Sequence, residues 1–288
     1  VTRCNAPGIQ GFAARPHGEA LAAATDIINF LVDNIGKKLA KCARSNALCA
    51  HCGGQMVHGS PAVEERRLGA AEIAASLEEE IALGHLAPRE RLLEEDLAER
   101  FQVKRHVIRQ VLLELDSMGI VVRQPNRGAA VKDFSAIEVE QLYLVRTLLE
   151  TCAGKLIPLP APRSLIDALL LINERHCAAV ARGDLRRVFR ENLQFHKTLF
   201  AACGNSTLTE VIEQLQFKTH AIRSYSIGNP QLLATVCAQH QRMIDLLQGI
   251  ERDEFVELLG KHIQPAKQAY LDQTRHKTAG PLATATAR

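Results

Sequence analysis

Three of the chain's eleven histidines, His196, His240 and His262, stand where they could ligate a metal ion. Asn192 and His196 are four residues apart and so share one helix face, while His240 and His262 fall on the last two helical stretches, where neighbouring helices could aim them at one point. Three neutral imidazoles converging in a helical interior form the ligand set of a Zn²⁺-like divalent site with positions left open for water or a carboxylate. Periodicity places faces and not partners, so the reading of each as an ordinary half-buried helical histidine stands beside this one. A second group is cationic. Lys104, Arg105, His106 and Arg109 gather at the start of one helix, away from its apolar stripe, and Arg127 and Gly128 sit in a turn further on. Arginine suits bidentate contact with guanine O6 and N7, so Arg105 and Arg109 are assigned to base edges or adjacent phosphates. Lys104 and His106 read as backbone contacts, and Arg127 as reaching a phosphate or the minor groove. The competing reading is a set of charges that only solvates a helix.

The elements that must carry these residues follow from composition and pattern. At 288 residues, with ~150 per domain, the chain makes about two domains, and 47% hydrophobic residues excludes a wholly disordered chain. Aromatics are 4%, with no Trp, so a mainly α fold suits the composition better than a sandwich or barrel. The sequence has neither a long uncharged apolar span nor the basic-then-apolar order of a secretory signal, which places the protein in the cytoplasm with no membrane partner.

Of the eight cysteines, Cys152, Cys177, Cys203 and Cys237 lie in separate apolar helical stretches and read as small buried hydrophobes. Cys4, Cys42, Cys49 and Cys52 crowd the first 52 residues with His51 and His58. Cys49-Ala-His-Cys52 is a zinc cue without the second half of a finger spacing. Its alternative is an appended, partly disordered extension over residues 1–66.

Net charge is +3, and its distribution says more than its value. Residues 68–134 carry nine Lys and Arg against twelve Asp and Glu, whereas 100–132 carry seven basic residues against Glu114 and Asp116. The acids lie upstream of a basic block, as a small domain needs if one face is to meet phosphates. Ile73, Leu77 and Ile81 mark a first helix stopped at Gly84. Leu93, Leu97, Ala98 and Phe101 mark a second, and Val107, Ile108, Val111, Leu112, Leu115 and Met118 a third that ends at Gly119. Two helices so tightly joined make a helix-turn-helix. Ile120–Arg123, the turn Pro125-Asn-Arg-Gly128 and the run to Val131 then read as a β-hairpin, with Gly128 supplying the positive φ. Helix, helix, helix and hairpin together are a winged helix-turn-helix over residues 67–134.

Beyond it, Ser135-Ala-Ile-Glu138 is a capping box opening a long helix whose Ile137, Leu142, Val145, Leu148 and Leu149 supply the expected buried face. Further helical stretches run near 164–182, 185–203, 207–227, 231–247 and 254–276, an all-α six-helix bundle over 135–276 followed by a tail at 277–288.

Residues 68–134 resemble the winged-helix domain of the GntR family of bacterial transcription regulators. The resemblance rests on Ile81-Ala-Leu-Gly-His-Leu-Ala-Pro88, Leu93-Glu-Glu-Asp-Leu-Ala98, Arg105 and Arg109, Gly119-Ile-Val and the wing Pro125-Asn-Arg-Gly128. The family's recognition helix opens Ser-Arg-Thr-Pro-Val-Arg, and here it reads Lys104-Arg-His-Val-Ile-Arg109. Arg89 replaces the Gly after Pro88, and Glu94 and Glu95 stand where some members carry a DNA-contacting Arg. Residues 135–276 resemble the FCD effector domain of the FadR subfamily, in its six-helix, VanR-like branch, through Gly183-Asp184, Phe195-His196 and Gly204-Asn205 with His240 and His262. The resemblance implies a divalent ion, zinc or nickel, on His196, His240, His262 and the residue at 192. The family has Asp there and this chain Asn, a weaker neutral donor, so a metal-free site holding an anionic effector remains the alternative. It also implies that Arg146, at the family's Arg-x-x-x-Glu position, meets an effector carboxylate, with Arg223 as a second candidate. Against that stands an intrahelical pair between Arg146 and Glu150. The implied function is a homodimeric repressor that binds double-stranded operator DNA under control of a small carboxylate metabolite. Two rivals are a regulator for which the metal itself is the signal, and a metalloenzyme. Neither His-Glu-x-x-His, a Ser/His/Asp set nor a phosphate loop supports the enzyme.

Overall fold

A computed structural model describes residues 68–124 and 128–278, all within one compact unit. Residues 1–67 with their Cys/His cue, residues 125–127 with the predicted contact Arg127, and the tail beyond 278 lie outside the described residues.

The chain opens with α1 (Ala70–Ala82), β1 (Arg91–Leu92), α2 (Glu94–Arg100), α3 (Arg105–Ser117), β2 (Val121–Gln124) and β3 (Gly128–Val131). Ile73, Leu77 and Ile81 of α1 and Ile108, Val111, Leu112 and Leu115 of α3 are fully buried against one another, so the 3.6-residue stripes read from sequence are the packed faces. The hairpin is antiparallel, with Val121 opposite Val131 and Arg123 opposite Ala129. A third strand, β1, pairs with β3 to give the order β1-β3-β2; at two residues it is too short to leave an alternation signal. Gly128 has φ +76°, and a Cβ on it would lie 2.5 Å from the Leu92 carbonyl oxygen, so both backbone and space demand glycine. Arg89 also sits in the left-handed region, φ 70°, and it is ion-paired to Asp133 at 2.5 Å.

The helical half comprises α4 (Ala136–Leu156), α5 (Arg163–Arg182), α6 (Leu185–Ala201), α7 (Ser206–Lys218), α8 (His220–Arg223), α9 (Pro230–Leu247), α10 (Arg252–His262) and α11 (Gln264–Thr278). These follow the six expected stretches, two of which are divided. The stretch expected over 207–227 breaks at Thr219, whose hydroxyl donates to the Gln216 carbonyl and receives Arg146 Nη1. The last breaks at Ile263 because Pro265 has no N–H for the carbonyl four residues back. Among the described residues no helix is long and apolar enough to cross a membrane.

The capping box forms as expected: the Glu138 N–H donates to Ser135 Oγ at 3.2 Å, and Ser135 N–H to the Glu138 carboxylate at 2.8 Å. The buried face of α4 differs from expectation. Ile137 is 71% exposed and Leu148 45%, while Val139, Tyr143, Arg146, Leu149 and Glu150 face inward. The helix turns its Arg/Glu pair toward the bundle because the two side chains satisfy each other there. A counterpart apolar stripe, Ile137, Leu144 and Leu148, is left on the outside.

One apolar cluster spans both halves, running from Ile73, Leu77 and Leu115 to Tyr143, Ala221, Ile222, Tyr270 and Leu271. Glu79 on α1 receives Arg186 and Arg190 of α6 at 2.6 and 2.7 Å, and His220 Nδ1 lies 3.0 Å from Glu78. The winged helix thus rests on α6, α8 and α11 through packed and charged contacts together.

Candidate DNA interface, effector cavity and histidine cluster

Lys104 immediately precedes α3, and Lys104, Arg105, His106 and Arg109 are all exposed at its start while Ile108, Val111 and Leu112 face the core. The sequence-predicted cationic set therefore shares one open face. Two of its members are held from below. Arg105 pairs with Glu95, and Arg109 with Glu94, Nη2 to Oε2 at 2.8 Å. The Arg109 guanidinium holds the Glu94 carboxyl below the usual carboxylate range. The α2 glutamates thus orient Arg105 and Arg109. The sequence displayed both carboxylates but gave no sign that they point at α3.

In the helical half, Arg146 is buried and donates to Glu150 Oε1 from Nε at 2.9 Å and Nη2 at 2.7 Å, and to Thr219 from Nη1 at 3.1 Å. The intrahelical pair with Glu150 is formed. Arg223, on the short α8, is half-buried beside it, and its Nη1 is buried without a partner. Burial, and then the charge of Arg146, push its guanidinium down to about 10. Both arginines line a cavity of about 680 Å³, open mouth included, with Tyr143, His176, Asn192, His196 and His262; its apolar wall includes Val188, Phe189 and Leu233. Two guanidinium groups against one carboxylate, Glu150, leave this wall with an uncompensated positive charge, which favours an anionic occupant.

The three histidines do converge. The ligand nitrogens of His196, His240 and His262 all lie within 4.8 Å of one another, and each ring is buried. His196 is on α6, His240 on α9, and His262 is the last residue of α10, just before the Pro265 break. His262 Nδ1 is 2.7 Å from Gln239 Oε1; if that nitrogen is the donor, the lone pair of Nε2 is free, and Nε2 lies 3.2 Å from His196 Nε2. His240 stacks on Phe195 with ring centroids 3.8 Å apart, and neither of its nitrogens has a partner. Burial holds His196 and His240 well below the usual imidazole range and His262 at about 3, with neighbouring charges adding to the effect, so all three are neutral near pH 7. Neutral, clustered and partly unpartnered imidazoles fit a divalent ion. Asn192 lies in the wall of the same cavity, one turn before His196.

A second cluster was missed. His176, Cys177 and Cys237 bring their ligand atoms within 4.8 Å of one another. The expectation of four buried thiols holds only for Cys203; Cys152, Cys177 and Cys237 are half-buried. The adjacent His176-Cys177 pair and the Cys237-Ala-Gln-His240 spacing were the signals available.

Residues 70–131 match the family described as bacterial regulatory proteins, gntR family, and residues 141–265 match the FCD domain. This chain belongs to the GntR family of transcription regulators. Its FCD domain places it in the FadR subfamily. The regulator is 25% identical to the HTH-type transcriptional regulator YdhC of Bacillus subtilis over 194 residues, 67% of this chain and 82% of YdhC. It is 22% identical to the HTH-type transcriptional repressor RspR of Escherichia coli over 184 residues, 64% of this chain and 81% of RspR. The solved structure of Escherichia coli McbR/YncC superposes with a TM-score of 0.63 at 20% identity, covering 71% of this chain and 98% of that one, a likeness of fold. The molecule is therefore a DNA-binding transcription regulator, and its relatives are regulators rather than enzymes.

Proposed function

We propose that this regulator is a cytoplasmic homodimeric repressor whose operator affinity is set by a small organic acid bound in the α4–α10 cavity. A divalent ion, zinc or nickel, would be held by His196, His240 and His262 with Asn192 as a weaker fourth donor. The observation that carries the reading is the buried, unpartnered Nη1 of Arg223 in the cavity that the histidine cluster adjoins. A carboxylate there would meet a guanidinium donor at one end and the ion's open positions at the other, and the ion would supply the Lewis-acid contact. Asn192 contributes no charge, so the site depends more heavily on the imidazoles and on the ligand's own negative charge.

The exposed stripe Ile137, Leu144 and Leu148 supports dimerisation through α4, which would present two α3 helices to half-sites about one DNA turn apart. Coupling to DNA has a physical carrier in α8. Arg223 faces the cavity, while Ala221 and Ile222 on the same four-residue helix pack into the core shared with α1. A ligand that pulls on Arg223 shifts the surface on which the winged helix rests, and such differential binding typically changes affinity by ~1–3 kcal/mol. A second reading, in which the ion is itself the signal, is favoured by one feature: the three histidines converge without any acid.

The test is operator binding, by fluorescence anisotropy on the regulator's own promoter, across a panel of carboxylic acids with and without Zn²⁺ or Ni²⁺. An acid should change affinity ~5- to 150-fold, and Arg223→Met should abolish that response while leaving ligand-free DNA binding intact. A full response to metal alone would replace this reading with the metal-sensor one. A panel in which no acid acts would remove the effector.

A further inference from the structure

We propose that His176, Cys177 and Cys237 form a second, sulfur-rich cation site for a soft or borderline ion, of which Zn²⁺ is the common biological member. It is independent of the histidine cluster and of any organic-acid effector. His176 and Cys177 are neighbours on α5 and Cys237 projects from α9, so two packed helices present two sulfurs and one imidazole at a single place. Cys237 Sγ lies 3.5 Å from His176 Nδ1. Zinc with Zn–S ~2.3 Å and Zn–N ~2.05 Å at tetrahedral angles requires an S···N edge of about 3.6 Å, so this edge is already in place. His176 Nε2 is buried without a partner.

The surroundings support the assignment. Cys177 donates to Asn173 Oδ1 at 3.6 Å, and the Asn173 amide is itself buried and reaches Gln241 Oε1 at 3.4 Å. That arrangement holds the Cys177 side chain in place in the metal-free protein and is released when the thiol loses its proton. Both thiols are half-buried and not sealed in the core, which leaves an ion a route in. On binding a dication each thiol gives up its proton to solvent, and the two thiolates cancel the ion's charge, with a fourth position open to water or a small anion. Sulfur donors favour Zn²⁺, Cd²⁺ or Cu⁺ over the harder ions that accept all-oxygen sites. The His176 and His240 rings stand 5.2 Å apart, so the site abuts the histidine cluster without sharing a residue with it.

Two measurements test this on the full-length reduced chain. In a background with Cys4, Cys42, Cys49 and Cys52 replaced by Ser, one equivalent of Cd²⁺ should raise the ultraviolet sulfur-to-cadmium charge-transfer absorbance. The band should fall by half or more in Cys177→Ser or Cys237→Ser, and persist in Cys152→Ser and His196→Ala. A band that survives both cysteine changes, or is absent from background protein whose circular dichroism is native, overturns the proposal. On the unsubstituted protein, Zn²⁺ should slow alkylation of Cys177 and Cys237, mapped by mass spectrometry, by more than an order of magnitude and leave Cys152 unaffected. Equal rates with and without Zn²⁺ overturn the site whatever the variants do. So does resistance to alkylation without metal that further reductant removes, since that marks a disulfide pair.

Discussion

Replacing Tyr270 by Phe removes one oxygen and cuts one of the ties between the winged helix and the helical bundle. The Tyr270 hydroxyl accepts the Phe134 N–H at 3.0 Å, and its single proton is shared between the Phe134 carbonyl at 2.8 Å and Asp133 Oδ1 at 3.0 Å. These two residues lead from β3 into the Ser135 cap of α4, so one side chain from α11 clamps the whole connection. The ring is fully buried and stands edge-on to Tyr225 at 5.0 Å, so Phe keeps the packing and loses only the polar contacts. An orphaned buried N–H costs ~1–3 kcal/mol and the lost donated bond ~0.5–1.5 kcal/mol, so Tyr270→Phe should destabilise the chain by ~2–4 kcal/mol. For a unit of this size that is a Tm fall on the order of 5–15 °C, read by calorimetry. In the proposed dimer, operator affinity should also fall, because the two winged helices are less well fixed, while binding to a single half-site is unchanged. A loss below ~0.5 kcal/mol would refute the argument that Tyr270 is the clamp, since it would mean water replaces the hydroxyl at no cost.

Further outcomes follow from the same geometry. Arg105→Ala should weaken operator binding by ~1–3 kcal/mol and relax base preference at one position; unchanged affinity and specificity would remove Arg105 from the interface. Leu144→Glu puts a charge into the exposed α4 stripe and should weaken dimerisation at least ~10-fold in sedimentation velocity, given ~1.5–3 kcal/mol for a buried Leu; an undisturbed dimer would place the interface elsewhere. Burial, reinforced by Arg223, lowers His262 to about 3 and His176 to about 4. Each is thus neutral when folded and protonated when unfolded over the interval between that value and ~6.5. Stability is complete above that interval and lost as pH falls through it, by ~1.4 kcal/mol per pH unit per histidine; a urea midpoint constant from pH 7 to 4 would contradict this. Gly128→Ala should cost at least ~1–2 kcal/mol from φ +76° alone, beyond the clash with the Leu92 carbonyl, and should loosen the wing; native stability would show that the β1–β3 register can shift.

Much was legible before any coordinates, because it is local. The stripe Ile73, Leu77, Ile81, the stripe from Ile108 to Leu115, the Ser135/Glu138 box and the left-handed Gly128 are short-range patterns, and the winged helix and helical bundle follow from them. The grouping of Lys104, Arg105, His106 and Arg109 on one open face is a property of a single helix, so spacing sufficed. What spacing left undecided was every choice between partners. Arg146 had two readings; it became the buried partner of Glu150 once α4 turned that face inward, and Arg223 was left with the unpartnered nitrogen. The exposed Ile137 and Leu148, expected to be inside, record the same rotation, which depends on what α7, α10 and α11 offer to α4. The convergence of His196, His240 and His262, and of His176 with Cys177 and Cys237, joins residues as much as 66 apart in sequence. No periodicity reports that distance. Sequence set which way each side chain leaves its own helix, and the packing of helix on helix decided which side chains meet, because burial energy is settled across interfaces that no single segment contains.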